Sequence, residues 1–202
     1  MRLADALTQI AEIHGHLART EVYRGLRSSP VALTGLCGLA GWMLQAYAFS
    51  DLAGVNLALY WVGAALASAM VGGSEIAYNY LYRDDDYARR KTRRVFGQFV
   101  PCLAAGVAVT AGLLQHGSAA VSFLPGIWAA LFGLGLFSAR PYLPRAIGWV
   151  GLYYLLASGW LLAQAGSAPM FEGWQVGGTF AIGQLACAIV LYWNLERRID
   201  HG

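Results

Sequence analysis

Hydrophobic residues in this chain come in six long runs, and the polar breaks between them are of two alternating kinds. The runs, near 30–49, 55–74, 95–115, 119–139, 146–165 and 174–195, each approach the roughly 20 apolar residues that a helix needs to cross a bilayer at about 1.5 Å per residue. All 14 Lys and Arg fall within 2–27, 83–94, 140–145 and 197–198, while the gaps around Asp51, His116 and Glu172 contain none. The pattern predicts an all-α, polytopic bundle of six transmembrane helices, and the positive-inside rule puts both termini in the cytoplasm.

The breaks at 50–54, 116–118, 140–145 and 166–173 are too short to form soluble domains. Two parts are therefore expected: a cytoplasmic helix in 1–29 and a membrane domain in 30–202. In the first part Leu3, Leu7, Ile10, His14, Leu17 and Glu21 recur at steps of four and three, which puts them on one helical stripe. With Arg2, Arg19, Arg24 and Arg27 to meet headgroups, this amphipathic helix is expected to lie in the interface, to pack beneath the bundle, or to pair with a partner or a second copy. These first residues lack the apolar core of a signal peptide, so targeting is expected from the first span.

Composition agrees with a bilayer as the main solvent and first partner. The chain is 57% hydrophobic and only 12% charged, where a soluble domain has roughly a quarter charged residues. Fourteen cations against nine carboxylates give the expected inner face a net charge of +5, and two carboxylates, Asp51 and Glu172, lie on the other side. That asymmetry reads as a basic face on anionic headgroups, not as a nucleic-acid surface, and suggests the plasma (inner) membrane of a bacterial-type protein.

The break at 78–94 has the most chemical character. Asp84, Asp85 and Asp86 followed by five cations suggest a diphosphate and magnesium site, but that chemistry needs a second, facing carboxylate cluster. Glu75, Glu196 and Asp200 are scattered singly. The segment is instead expected to be a helical hairpin turn, with Asp85 and Asp86 four residues before Arg89 and Arg90. Arg83, Arg89, Arg90, Lys91, Arg93 and Arg94, together with Leu7, Ile10 and His14, are the candidate contacts for lipid or a protein partner.

Catalytic and metal chemistry finds few residues. Of Glu12, His14 and His16 only the first and last share a helical face, and two ligands do not make a site. No histidine lies in a span, which removes imidazole-ligated haem or metal within the membrane. Cys37, Cys102 and Cys187 sit at similar depth in their spans, so a trigonal thiolate site is conceivable. With no charge nearby to favour thiolates, packing as small hydrophobes is the expectation. The chain has no GxSxG, HExxH, Walker A or dinucleotide motif, so no enzyme, metal or cofactor is expected. The spans carry no midplane carboxylate, His or Lys to couple ions.

Glycines recur at Gly35, Gly38 and Gly41, at Gly63, at Gly133 and Gly135, and at Gly148 and Gly151. Such residues let helices approach closely, and six helices need many crossings of their own. Trp61, Trp149, Trp174 and Trp193 fall near expected interfaces, as belt residues do. Trp42, Trp128 and Trp160, with Tyr153 and Tyr154, lie deeper and are the candidate lining of a ligand pocket, against lipid-facing or packing roles.

These features predict a non-enzymatic accessory, scaffold or regulatory subunit that works through its basic cytoplasmic face with a protein partner or a second copy. The alternative is a small-molecule binding or transport subunit with an aromatic intramembrane pocket. A pocket opening near Trp42, Trp160 and Trp174 favours the alternative, and a groove beside Leu7 and Ile10 in a filled bundle favours the first.

Overall fold

The computed structural model describes residues 27–82, 86–165 and 171–197, and among these it is helical throughout, without strands. The expected amphipathic helix in 1–29, with Leu7, Ile10 and His14, falls almost wholly outside the described residues. The helices are α1 Ser28–Ala48, α2 Gly54–Tyr82, α3 Asp86–Leu114, a one-turn α4 Ser118–Val121, α5 Leu124–Ala139, α6 Ile147–Gln164 and α7 Gly173–Leu191. A 3-10 turn, Arg140–Tyr142, follows α5, and a π turn, Tyr192–Glu196, continues α7.

Among the described residues five helical stretches are long and apolar enough to cross a membrane, those of α1, α2, α3, α5 and α7. The sixth helix, α6, spans 18 residues and carries Trp149, Tyr153, Tyr154, Trp160 and Gln164, which dilute its hydropathy. Apolar side chains cover the outside of the bundle, with Met70, Val107 and Leu156 each about two-thirds or more exposed. That surface suits a lipid solvent.

Three spans differ from the sequence expectation. The run at 119–139 is interrupted at Ser122 and Phe123, where Pro125 in the first turn of α5 has no N–H to donate back to the preceding turn. Conversely, the helices of the expected spans 55–74 and 95–115 are longer than those runs: α2 continues to Tyr82 and α3 starts at Asp86, so most of the expected helical hairpin turn belongs to them. Each has 29 residues, or about 43 Å at the α-helical rise. Pro101 lies inside α3, where it removes the hydrogen bond to Gly97.

Tight turns reverse the chain at one end. Gly54 (φ 55°) and Gly117 (φ 84°) adopt the left-handed backbone that favours glycine as the chain enters α2 and α4. Successive helices run antiparallel, so Asp51 and Glu172 gather at one end, called here the acidic end. Arg27, Arg140, Arg145 and Arg197 gather at the other, the basic end.

The most extensive contact joins the first and last helices, α1 and α7, followed by α5 with α6 and α3 with α5. Missing side chains make the first seam possible. A Cβ on Gly38 would lie 3.2 Å from the Gly177 carbonyl oxygen, and one on Gly177 would lie 2.6 Å from that of Gly38 and 2.7 Å from the Trp42 Cβ. Gly183 faces the ring of Tyr154, which is fully buried. Tyr153 and Tyr154 donate their hydroxyls to the carbonyls of Thr179 (3.1 Å) and Phe180 (3.3 Å), tying α6 to α7.

By contrast, α2 and α3 share few contacts along their length, although α4 touches both at the acidic end. Gly63 and Gly73 on α2, and Gly97 and Gly112 on α3, have nothing within 4 Å of where a Cβ would lie.

Candidate functional site

Two regions collect the side chains capable of recognition. At the acidic end a crevice of about 400 Å³ opens between the end of α1, the start of α2 and the start of α7. Trp42 and Gln45, one helical turn apart on α1, form one wall, and Phe171, Glu172 and Trp174 form another, with Leu57 of α2 below. The volume lies within the range of small-molecule sites.

Its wall is held by hydrogen bonds and close contacts. Trp61, 3% exposed, donates its indole N–H to Gln45 Oε1 (3.2 Å), fixing the amide. Tyr60 donates to the Gly41 carbonyl at 2.6 Å. Gly173 and Gly177 let Trp42 and Gln45 lie directly on the start of α7. Glu172 is the N-cap of that helix: its side chain accepts from the backbone of Gln175, whose own side chain accepts from the Glu172 N–H (3.0 Å). Glu172 Oε2 also accepts from Trp174 Nε1 at 2.6 Å. Trp160 packs on Trp174 with ring centroids 5.4 Å apart.

The five aromatic candidates are thus only partly brought together. Trp42 lines the crevice and Trp160 touches it through Trp174. Trp128 lies elsewhere, donating to Thr110 Oγ1 (2.9 Å) between α5 and α3. Tyr153 and Tyr154 belong to the core beside Phe132 and Phe180, and Tyr154 has no exposed surface. Trp61, expected at an interface, is a core residue. Sequence reasoning did not assign Gln45, Phe171 or Glu172 to a pocket. The legible signal was Gln45 three residues after Trp42, the last polar side chain on that stripe before the turn.

The second region is the basic end. Arg27 pairs with Glu75 at 3.2 Å, and both groups are partly solvated. Ser28 donates its backbone N–H and its hydroxyl to the two oxygens of Glu196, each at 2.8 Å. A carboxylate from the end of α7 therefore caps α1. Glu75 and Glu196, distant in sequence, both grip the start of α1. Arg197 lies 4.0 Å from the Trp193 ring centroid, a cation–π contact.

Beyond this level α2 and α3 continue. Seven residues separate Glu75 from Tyr82, and at 1.5 Å each the helix extends about 10 Å past the Arg27 pair. Tyr78, Leu81 and Tyr82 are 55%, 59% and 75% exposed there. Arg90, Arg93 and Arg94 are exposed on α3. Arg89 is half-buried, donating Nη2 to the Leu81 carbonyl (3.1 Å) with its guanidinium 5.8 Å from the Tyr80 ring centroid. Arg83, Asp84 and Asp85 lie outside the described residues, as do the side chains of Asp86 and Lys91, so the expected Asp85–Arg89 and Asp86–Arg90 pairs do too.

Among the described residues no group of three His, Cys, Asp or Glu is placed to hold a metal ion. Cys187 is buried between α6 and α7, Cys102 faces Gly135 of α5, and Cys37 is half-buried on α1. In comparisons with known proteins the chain matches no family model, and neither a curated protein nor a solved structure shows significant similarity to it.

Proposed function

We propose that this chain is a non-enzymatic, six-span protein of the plasma membrane with both termini cytoplasmic, acting as an accessory or regulatory subunit through its basic end. The observation that carries this reading is the projecting α2–α3 arm. It presents Tyr78, Leu81 and Tyr82 beside Arg90, Arg93 and Arg94, and aromatic and arginine side chains are those most enriched at protein interfaces. An interfacial belt also uses Tyr and Arg, so the test must separate protein from lipid.

Tyr78, Leu81 and Tyr82 replaced together by Ala leave the topogenic arginines in place. In mild detergent, the unmodified protein is expected to co-purify with one partner in fixed stoichiometry, including a second copy of itself, and the triple variant to lose it while remaining monodisperse. Purification of the unmodified chain alone as a monomer would overturn the reading. Cysteine labelling from either side of the membrane at His116 and Ser50 variants checks the orientation.

A second reading has its own observation. The acidic-end crevice between Trp42 and Trp174 supports a small-molecule binding role, because it is concave, aromatic and held rigid by Gln45 and Glu172.

A further inference from the structure

The charge around the acidic-end crevice has one sign. Glu172 lines it, and Asp51 lies between Ser50 and Leu52, which also line it. The polar breaks at this end contain no Lys or Arg. Of the helix ends that meet here, the N-termini of α2 and α7 carry partial positive charge and the C-terminus of α1 partial negative charge, so the dipoles leave roughly half a positive charge, less than one carboxylate. The donors to Glu172 are an indole N–H and a backbone N–H, both neutral. Glu172 thus lines a concave surface whose lining residues Ser50 and Leu52 flank Asp51 in the chain, and the breaks at this end carry no Lys or Arg.

The same crevice is lined by the indoles of Trp42 and Trp174, with the buried Phe171 against them. Aromatic faces attract organic cations through their quadrupole, and aromatic cages with a nearby carboxylate suit ammonium groups that are too weakly hydrated for a site made of oxygen ligands alone. Gln45 offers a polar group to the same space, its Oε1 already engaged by Trp61. An anionic ligand would meet the Glu172 carboxylate, and a neutral apolar one would gain nothing from it.

We infer that the crevice binds an organic ammonium group, held between Trp42 and Trp174 and balanced by Glu172. This rests on the second reading above, that the crevice is a binding site. The ammonium can come from a free amine or quaternary amine in solution, or from the choline or ethanolamine headgroup of a lipid in the adjacent leaflet.

The test uses the full chain in a maltoside detergent, which carries no ammonium. Choline is titrated against its neutral isostere 3,3-dimethylbutanol by calorimetry. In parallel, native mass spectrometry follows retention of phosphatidylethanolamine against phosphatidylglycerol. Choline is expected to bind about tenfold or more tighter than the isostere, a ratio within the range of cation–π and charge effects. Glu172→Gln, which keeps an acceptor for the cap, is expected to remove most of that preference, and Trp42→Leu to weaken binding by a similar factor.

Selective retention of phosphatidylethanolamine with weak choline binding would assign the lipid headgroup, and the reverse a soluble amine. Equal binding of choline and its isostere, both lost in Trp42→Leu, would overturn the charge inference and leave the crevice as a binding site. Binding of none of the four probes would overturn both.

Discussion

The two ends of this bundle are built from the same helices by opposite means. At the acidic end, α1, α2 and α7 converge through glycines, Trp42 and Trp61 pack on backbone, and a crevice is left where the close contact stops. At the basic end α5, α6 and α7 are still packed through buried Ala139, Ile147 and Leu191. The start of α1, however, is held there by exposed or half-buried polar contacts, Arg27 to Glu75 and Ser28 to Glu196, while α2 and α3 run on as a loosely joined arm. Shape-fitted contact specifies one arrangement but tolerates little change. Solvated charge tolerates change and leaves surface free for recognition.

The largest effect expected from this difference is at the α1–α7 seam. Gly177→Ala would put a Cβ 2.6 Å from the Gly38 carbonyl oxygen and 2.7 Å from Trp42 and Trp61, and overpacking of this kind costs about 1–3 kcal/mol. Thermal unfolding in detergent, followed by the labelling of buried Cys187, should show a clear loss of stability. Gly73→Ala, in open space on α2, should show none and gain up to about 1 kcal/mol from helix propensity. Equal behaviour of the two variants would remove the distinction between the ends.

Next in size is Gln45→Leu, which strips the buried Trp61 indole of its acceptor. An unsatisfied buried donor costs about 1–3 kcal/mol, and the same unfolding assay should register it, together with a shift in tryptophan emission. Glu196→Ala removes both acceptors at the start of α1, a loss of cap worth about 1 kcal/mol. Hydrogen exchange should then quicken in the first turn of α1 and leave the Gly38 level unchanged. The smallest effect is expected from Arg27→Ala, since its exposed pair with Glu75 contributes about 0–1 kcal/mol and fades with salt. A larger loss there than at Gln45 would reverse the ranking of the two ends.

The candidate sites were legible to different degrees. Glu172 and Trp174 were visible as a charge and an interfacial ring, and Trp42 as a deep one, but nothing local says that residues 42–45 and 171–174 meet. Tyr154 illustrates the converse: its aromatic character suggests a pocket wall, yet Gly183 opposite it makes it a core residue. A spanning helix is apolar on all sides, because lipid and protein interior have the same polarity, so hydrophobic periodicity does not reveal which face packs inward.

By itself the sequence determined the helical class, the apolar segments long enough to span a membrane and the separation of cations from Asp51 and Glu172. These follow from the cost of placing charge or unpaired backbone in hydrocarbon, a constraint that acts on each segment alone. Only the tertiary structure decided that α1 pairs with α7, that Glu196 caps α1, that α5 is offset by a one-turn helix and that the α2–α3 arm projects. Those depend on which small side chains face each other across helices far apart in the chain, and that is a property of pairs.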